Sequence, residues 1–297
     1  MPTRFGPVTF LMLLCSITLA PRAAAQPATH VDHAGLVKLH WQQAARAQTF
    51  REMTTFDMID LLHAMDFHHI ELSPGQSLSA DRKTSKIGPD MPAEDLDALL
   101  AKLKLVKMDI VSYSVADLGG SEEEARRVFA FAKKLKLKTI VTDAPTGSLE
   151  MLDKLATEHS INIALTSATK AGRYESADAM LKAMDGRSPR VGVCADLAAW
   201  KLAGQDPLKS VQKLTGRVLL VHLSDIADGK PVPLGAGTVD AAGVLAELKG
   251  QQFKGICCVQ DEADAAQDRL ENFAKSVNAF NDQVSKLAGT QPEIQAH

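Results

Sequence analysis

Val191-Gly-Val-Cys-Ala-Asp196 and Arg217-Val-Leu-Leu-Val-His222-Leu-Ser-Asp225 decide the fold. Each is an apolar run that ends in polar residues, and a helical piece starting near Asp206-Pro207 separates them. Two buried strands joined through a helix make a parallel βαβ unit. A carboxylate and an imidazole at the carboxyl ends of such strands stand where α/β barrels keep their chemistry.

Outward from this unit the same alternation repeats. Upstream, Thr55 caps a helix whose apolar positions Met58, Leu61, Leu62 and Met65 follow helical spacing. Residues 68–72 read as a strand that reaches its polar end at Glu71, before the breaker Ser73-Pro-Gly-Gln76. Helices are expected over 92–105, from the capping box at Ser121 to about Lys136, over 148–159 and over 176–184. Strands are expected over 108–114, 139–143 and 162–166. Downstream, 239–250 reads as a helix, 255–260 as the eighth strand and 265–287 as the last helix. A first strand is placed at 35–40, followed by a loop or short helix. Eight strand–helix repeats with near-continuous apolar strands predict a single (β/α)8 barrel. An open doubly wound sheet would need a glycine-rich turn after its first strand, and none is present.

The chain of 297 residues divides accordingly. Residues 1–25 read as a signal peptide: Arg4 precedes the short apolar run 10–20, and Ala23-Ala-Ala25 offers a cleavage site. Residues 26–50 form a segment leading into the barrel, 51–288 the barrel, and 289–297 a disordered tail. The protein is therefore expected to be exported, periplasmic or extracellular, with no membrane span once the leader is removed. The formal charge of -3 becomes -5 on losing Arg4 and Arg22, which gives no basis for nucleic-acid binding. Aromatics at 5% supply no stacking platform for a polysaccharide, so a small polar ligand is expected. No sequence feature sets an oligomeric state. Three cysteines, Cys194, Cys257 and Cys258, remain after export. Cys194 and Cys258 each stand two residues before an inward-facing strand end, so both sulfurs belong to one interior layer, as buried thiols or as a cross-barrel disulfide.

Taken together, Glu71 with Ser-Pro-Gly-Gln, Thr139-Ile-Val-Thr-Asp143, Gly-Arg-Tyr174, Arg190-Val-Gly-Val-Cys-Ala-Asp196, Val-His222-Leu-Ser-Asp225, Pro-Leu-Gly-Ala-Gly237 and Asp240 resemble the sugar phosphate isomerase/epimerase family of xylose isomerase-like barrels. The resemblance spans about residues 50–285. It implies a divalent metal (Mn, Mg, Co or Zn) in the barrel mouth, held by a Glu ending strand four, an Asp ending strand six, a His ending strand seven and a Glu ending strand eight. Asp196 and His222 match. Asp143 stands where the first Glu is expected and Gln260 where the last is. Ala199 replaces a His, and strand five ends Leu165-Thr-Ser167 where a His or Asn is usual.

The resemblance also implies a small-molecule carbohydrate as substrate or ligand. With Asp143 as the catalytic residue, and Asp143, Asp196, His222 and Gln260 as metal ligands, the expected reaction is metal-assisted proton abstraction next to the carbonyl of a sugar or keto-sugar, giving isomerisation or elimination. Glu71 and Asp225 are the substrate-binding candidates, although Asp225 could equally orient the loop after His222. Gln260 cannot accept a proton as a carboxylate would, which argues against two-base epimerisation. The alternative is a catalytically inactive sugar-binding barrel that has lost the metal.

Overall fold

The computed structural model describes residues 29–167 and 173–290. The expected signal peptide and most of the expected tail lie outside these residues. The barrel strands are β1 (Gln42–Arg46), β2 (His69–Leu72), β3 (Asp109–Ser114), β4 (Thr139–Thr142), β5 (Asn162–Leu165), β6 (Val191–Asp196) and β7 (Val218–Leu223). A short hairpin, β8 (Asp225–Ala227) and β9 (Lys230–Val232), precedes the closing barrel strand β10 (Ile256–Val259). The order β1-β10-β7-β6-β5-β4-β3-β2 closes on itself with every barrel neighbour parallel, so the expected eight-stranded barrel is what forms.

The first helices are α1 (His33–Leu39), α2 (Thr55–Ala64), α3 (Ala93–Val106), α4 (Glu122–Lys134) and α5 (Leu149–His159). After them come α6 (Ala177–Met184), α7 (Leu197–Leu202), α8 (Pro207–Lys213), α9 (Ala241–Gly250) and α10 (Ala266–Ala288). No helix among the described residues is long and apolar enough to cross a membrane. Local capping chemistry sets several starts. Ser121 Oγ accepts the Glu124 N–H at 3.1 Å to open α4. Asp206 accepts from Lys209 N at 3.2 Å, with Pro207 at the first turn of α8.

The amino-terminal reading needs correction. Residues 35–40, expected as the first strand, belong to helix α1 and its cap; the first barrel strand is β1, inside the segment set apart as 26–50. Asp32 explains the difference. Its Oδ1 accepts the Gly35 N–H at 2.7 Å and starts a helix that buries Leu36 and leaves Val37 exposed. The other oxygen, Oδ2, accepts from Ser285 Oγ at 2.6 Å and from Thr290 Oγ1, while Asn281 Oδ1 accepts the Asp32 N–H at 2.8 Å. One carboxylate thus caps α1 and ties it to α10.

Alternation inside the strands builds the interior. Ala44, Val111, Val141, Ala164, Cys194, Leu220, Ile256 and Cys258 form a separate apolar cluster within the barrel. The shared layer expected for Cys194 and Cys258 is present, and both are free buried thiols. A main cluster of larger side chains fills the shell between strands and helices.

The hairpin turns at Asp228 and Gly229, with φ of 50° and 72°, the pair of positive angles that a tight primed turn requires. Asp225 organises the segment that follows. Its oxygens accept the N–H groups of Ile226, Gly235, Gly237 and Val239 at 2.8–3.0 Å. A Cβ on Gly237 would meet Asp225 Oδ1 at 2.3 Å, so the glycine lets the chain wrap the carboxylate. Asp225 is 1% exposed and is spent on backbone. It holds this loop, and it also belongs to the lining of the cavity at the barrel mouth.

Replacing Asp32 by Ala should lower unfolding free energy by about 1–3 kcal/mol, the cost of a lost cap plus unpaired hydroxyls. Urea denaturation measures it; an unchanged midpoint would mean that α1 is not latched through this carboxylate.

Candidate functional site

Two residues beyond five members of the inner apolar layer, the same alternation brings a polar residue to the barrel mouth. Ala44 leads to Arg46, Val141 to Asp143, Cys194 to Asp196, Leu220 to His222 and Cys258 to Gln260. Register sets the neighbours: Arg46 lies beside Glu71, and Asp196 beside His222. An irregularity between Ile70 and Glu71 shifts the β2–β3 register and brings Glu71 opposite Ser112.

These side chains form one buried network. Glu71 lies at its centre, fully buried, with Oε1 3.0 Å from His222 Nε2 and 3.2 Å from Arg46 Nε. Ser112 Oγ donates to Glu71 Oε2 at 2.8 Å. On the other side of the imidazole, Asp196 Oδ2 stands 3.4 Å from His222 Nδ1, an ion-pair distance without hydrogen-bond alignment. Asp196 Oδ1 accepts the Ala199 N–H at 3.0 Å and so caps α7. Gln260 bridges the rest: its Oε1 accepts from Arg46 Nη1 at 2.5 Å, and its Nε2 donates to Ser224 Oγ at 3.1 Å and points to Asp196 Oδ2 at 3.4 Å. Arg46 Nη1 also meets Glu262 Oε1 at 3.1 Å.

Electrostatics follow from this packing. Burial works against every charged form here, but the charges face one another. Against burial, the His222 ring and the Arg46 guanidinium hold the Glu71 carboxyl below its ordinary value, and they hold Asp196 down likewise. Burial would push His222 down; the Glu71 and Asp196 carboxylates on either side of the ring hold it well above its usual range. Burial pushes the Cys194 and Cys258 thiols up, so both are protonated near neutral pH.

The expected site residues separate into two sets. Asp196, His222 and Gln260 come together, as anticipated. Glu71 joins them from below, as a buried partner of His222 and not as a surface for substrate. Asp143 stands apart: its Oδ1 accepts the Asp117 N–H at 2.7 Å, beside Arg173, whose Nη1 donates to the Asp143 carbonyl at 2.9 Å. Arg46 is the functional residue that sequence reading missed. Its signal was hidden with its strand, since only a strand set at 42–46 instead of 35–40 aims residue 46 inward at a carboxyl end.

Above the network opens a cavity of about 580 Å³, lined by Arg46, Asp143, Arg173, Asp196, Gln260 and Glu262 among others. Thr166, Ser167 and Tyr174 add polar groups to its wall. A larger recess, about 990 Å³, lies at the opposite end among strand starts such as Gln42, Thr139 and Asn162. That end bears on barrel stability, and chemistry belongs at the carboxyl ends.

Two groups of three among the described residues bring possible metal-ligand atoms within 4.8 Å of one another: His33–Asp66–His68, and Glu71–His222–Cys258 inside the barrel. Asp143 is in neither. Tested against the implied ion, the mouth fits poorly. The Gln260 oxygen is taken by Arg46, and both His222 nitrogens face carboxylates. Ligation needs deprotonated donors with open lone pairs.

Residues 59–283 match the family model described as xylose isomerase-like TIM barrel. An uncharacterized protein from Parabacteroides distasonis ATCC 8503 has a solved structure that matches 80% of this chain and 98% of its own, at 27% identity and a TM-score of 0.64. The IOLI protein with a bound zinc atom aligns at 16% identity and TM-score 0.66, covering 83% of this chain and 99% of its own. A D-tagatose 3-epimerase-like protein aligns at 14% identity and TM-score 0.67, covering 84% and 98%. The last two likenesses show the fold alone. No curated protein matches the sequence.

Glu71→Ala leaves His222 and Arg46 without their shared anion and should cost about 3–5 kcal/mol. The pH dependence has a definite sign. A carboxyl whose folded value lies below its ordinary 4.5 contributes stability that is present above 4.5 and lost as pH falls through the folded value. Glu71→Gln should therefore flatten the acid limb of a melting-temperature profile; an acid limb identical to that of the wild type would contradict the pairing.

Proposed function

Because this chain belongs to the xylose isomerase-like TIM barrel family, we propose that it is an exported protein that binds a small sugar or keto-sugar in the barrel mouth and moves a proton next to its carbonyl. The observation that carries this reading is the cavity of about 580 Å³ at the carboxyl ends, whose lining includes carboxylates, guanidinium groups, hydroxyls and an amide. That mixture suits a polyhydroxylated ligand, whose hydroxyls both donate and accept.

Asp143 is the base in this reading. The Asp117 N–H orients its carboxylate, and it lines the same cavity as Asp196 and Gln260. A single carboxylate takes a proton from the hydroxyl-bearing carbon beside the carbonyl and returns it to the carbonyl carbon, while the proton of that hydroxyl passes to the former carbonyl oxygen, which isomerises the sugar. Loss of a leaving group from the neighbouring carbon in place of that return gives elimination. Epimerisation with a base on each face has no second carboxylate at position 260. None of these steps is routed through a metal.

A second reading, a sugar-binding barrel without turnover, is favoured by Gln260 itself, an amide where proton transfer would want a carboxylate. Proton NMR of keto-sugars in D2O separates the two. Turnover predicts solvent deuterium entering beside the carbonyl, with Asp143→Asn slower by roughly 10²–10⁴-fold. Binding without exchange supports the second reading, and neither binding nor exchange across a keto-sugar panel would sink both. Export predicts that protein recovered from periplasm or medium begins at Gln26; an intact Met1 terminus would refute it.

A further inference from the structure

We propose that the Arg46 guanidinium takes the place of the divalent cation in this barrel, and that the mouth is closed to divalent metal because a permanent organic cation already occupies its electrostatic position. The inference rests on the reading of the mouth as the ligand site, but its test needs no ligand.

Position comes first. Arg46 is the last residue of β1, between the ends of β10 and β2 in the closed sheet. Its side chain meets Glu71 Oε1 at 3.2 Å, Gln260 Oε1 at 2.5 Å and Glu262 Oε1 at 3.1 Å. Three oxygens from two strand ends and a following loop therefore converge on one cation. That is the arrangement an ion would need, made with N–H donors in place of coordination bonds.

Charge comes second. The Arg46 guanidinium and the His222 ring face the buried carboxylates Glu71 and Asp196, so these anions already have a permanent cation among them. A divalent ion added there would bring two further positive charges beside a guanidinium that cannot deprotonate.

Position 260 comes third. A carboxylate there could accept from Arg46, but it would face the Asp196 carboxylate with no hydrogen to offer. Gln260 does both tasks, accepting from Arg46 through Oε1 and presenting Nε2 to Asp196 Oδ2 and Ser224 Oγ. The amide is the side chain that a resident guanidinium asks for at this place. Asp143 is consistent with the same device: with no ion to reach, its carboxylate is engaged by the Asp117 N–H. Both departures from the implied ligand set, at 143 and 260, thus follow from one substitution of cation. Arg46 also lines the cavity, so its guanidinium can face a ligand oxygen and stabilise charge that develops there.

The test is titration of EDTA-treated full-length mature protein with Mn²⁺ alone, by calorimetry and by melting temperature. All variants carry His68→Ala, which removes the separate His33–Asp66–His68 group. The parent protein should show no saturable Mn²⁺ binding and no shift. Arg46→Met combined with Gln260→Glu should gain stoichiometric binding and a raised melting temperature, both removed by His222→Gln. Gln260→Glu alone, with Arg46 in place, should stay metal-free. Stoichiometric Mn²⁺ binding by the parent or by Gln260→Glu, abolished by His222→Gln, overturns the proposal, as does a folded double variant that binds nothing. Should the double variant not fold, the parent and the single variant decide it. Failure of the sugar screen leaves these outcomes untouched, so the two readings fail separately.

Discussion

Burying four charges at the top of a barrel is possible only because they come in facing pairs. Each ion taken out of water costs several kcal/mol, and attraction to a well-placed partner offsets that cost. Arg46, Glu71, His222 and Asp196 therefore act as a unit: Glu71 serves two cations, and His222 lies between two anions. Everything around them is arranged to keep these distances. Ser112 and Ser224 fill remaining hydrogen-bonding capacity, the irregularity in β2 brings Glu71 within reach of Ser112, and the start of α7 is capped by the same Asp196.

The layer below is apolar and small for a related reason. Alanine, valine and cysteine side chains at Ala44, Val141, Ala164, Cys194 and Cys258 pack the narrow interior without adding polar groups that would need partners. A thiol placed against such charges could ionise, but burial pushes both sulfurs up and keeps them neutral. The charged layer is thus insulated on one side by uncharged packing and open on the other to the cavity. That asymmetry directs the reactivity of the mouth outward.

The architecture was legible where strands are long and apolar. Val191–Asp196 and Val218–Leu223 announce themselves, and the two-residue period then places Asp196, His222, Cys194 and Cys258 without any structure. β1 was not legible, because Gln-Gln-Ala-Ala-Arg contains no apolar run; it is a strand only because β2 and β10 pair with it on either side. Residues 35–40 look more like a strand than β1 does, and only the Asp32 cap and the contacts to α10 make them helical. The missed strand took Arg46 with it. The short helix α7 and the hairpin after His222 were hidden likewise, since each depends on a carboxylate, Asp196 or Asp225, whose partners are backbone N–H groups that sequence does not display.

Substituted positions in a decayed site and in a rebuilt one differ in how their polar atoms are partnered. Decay removes a ligand's purpose and leaves buried donors and acceptors without one, each costing about 1–3 kcal/mol. Gln260 shows the opposite: all three of its hydrogen-bonding directions in this network are taken, by Arg46, Ser224 and Asp196. Asp143 has the Asp117 N–H, and the backbone of Ala199 serves Asp196. Among the described residues, Arg46 Nε, Glu71 Oε1 and His222 Nδ1 rest on ion-pair contacts without a hydrogen bond, and the buried Ser167 Oγ lacks a partner on the wall of the cavity, where a ligand hydroxyl could supply one. A mouth whose residue 260 is engaged by three neighbours, and whose cavity wall carries the Arg46 guanidinium and the Ser167 hydroxyl, offers a polar ligand both donors and acceptors. Such a cation offers directed N–H donors in a fixed fork, suited to polarising a ligand oxygen by hydrogen bonding.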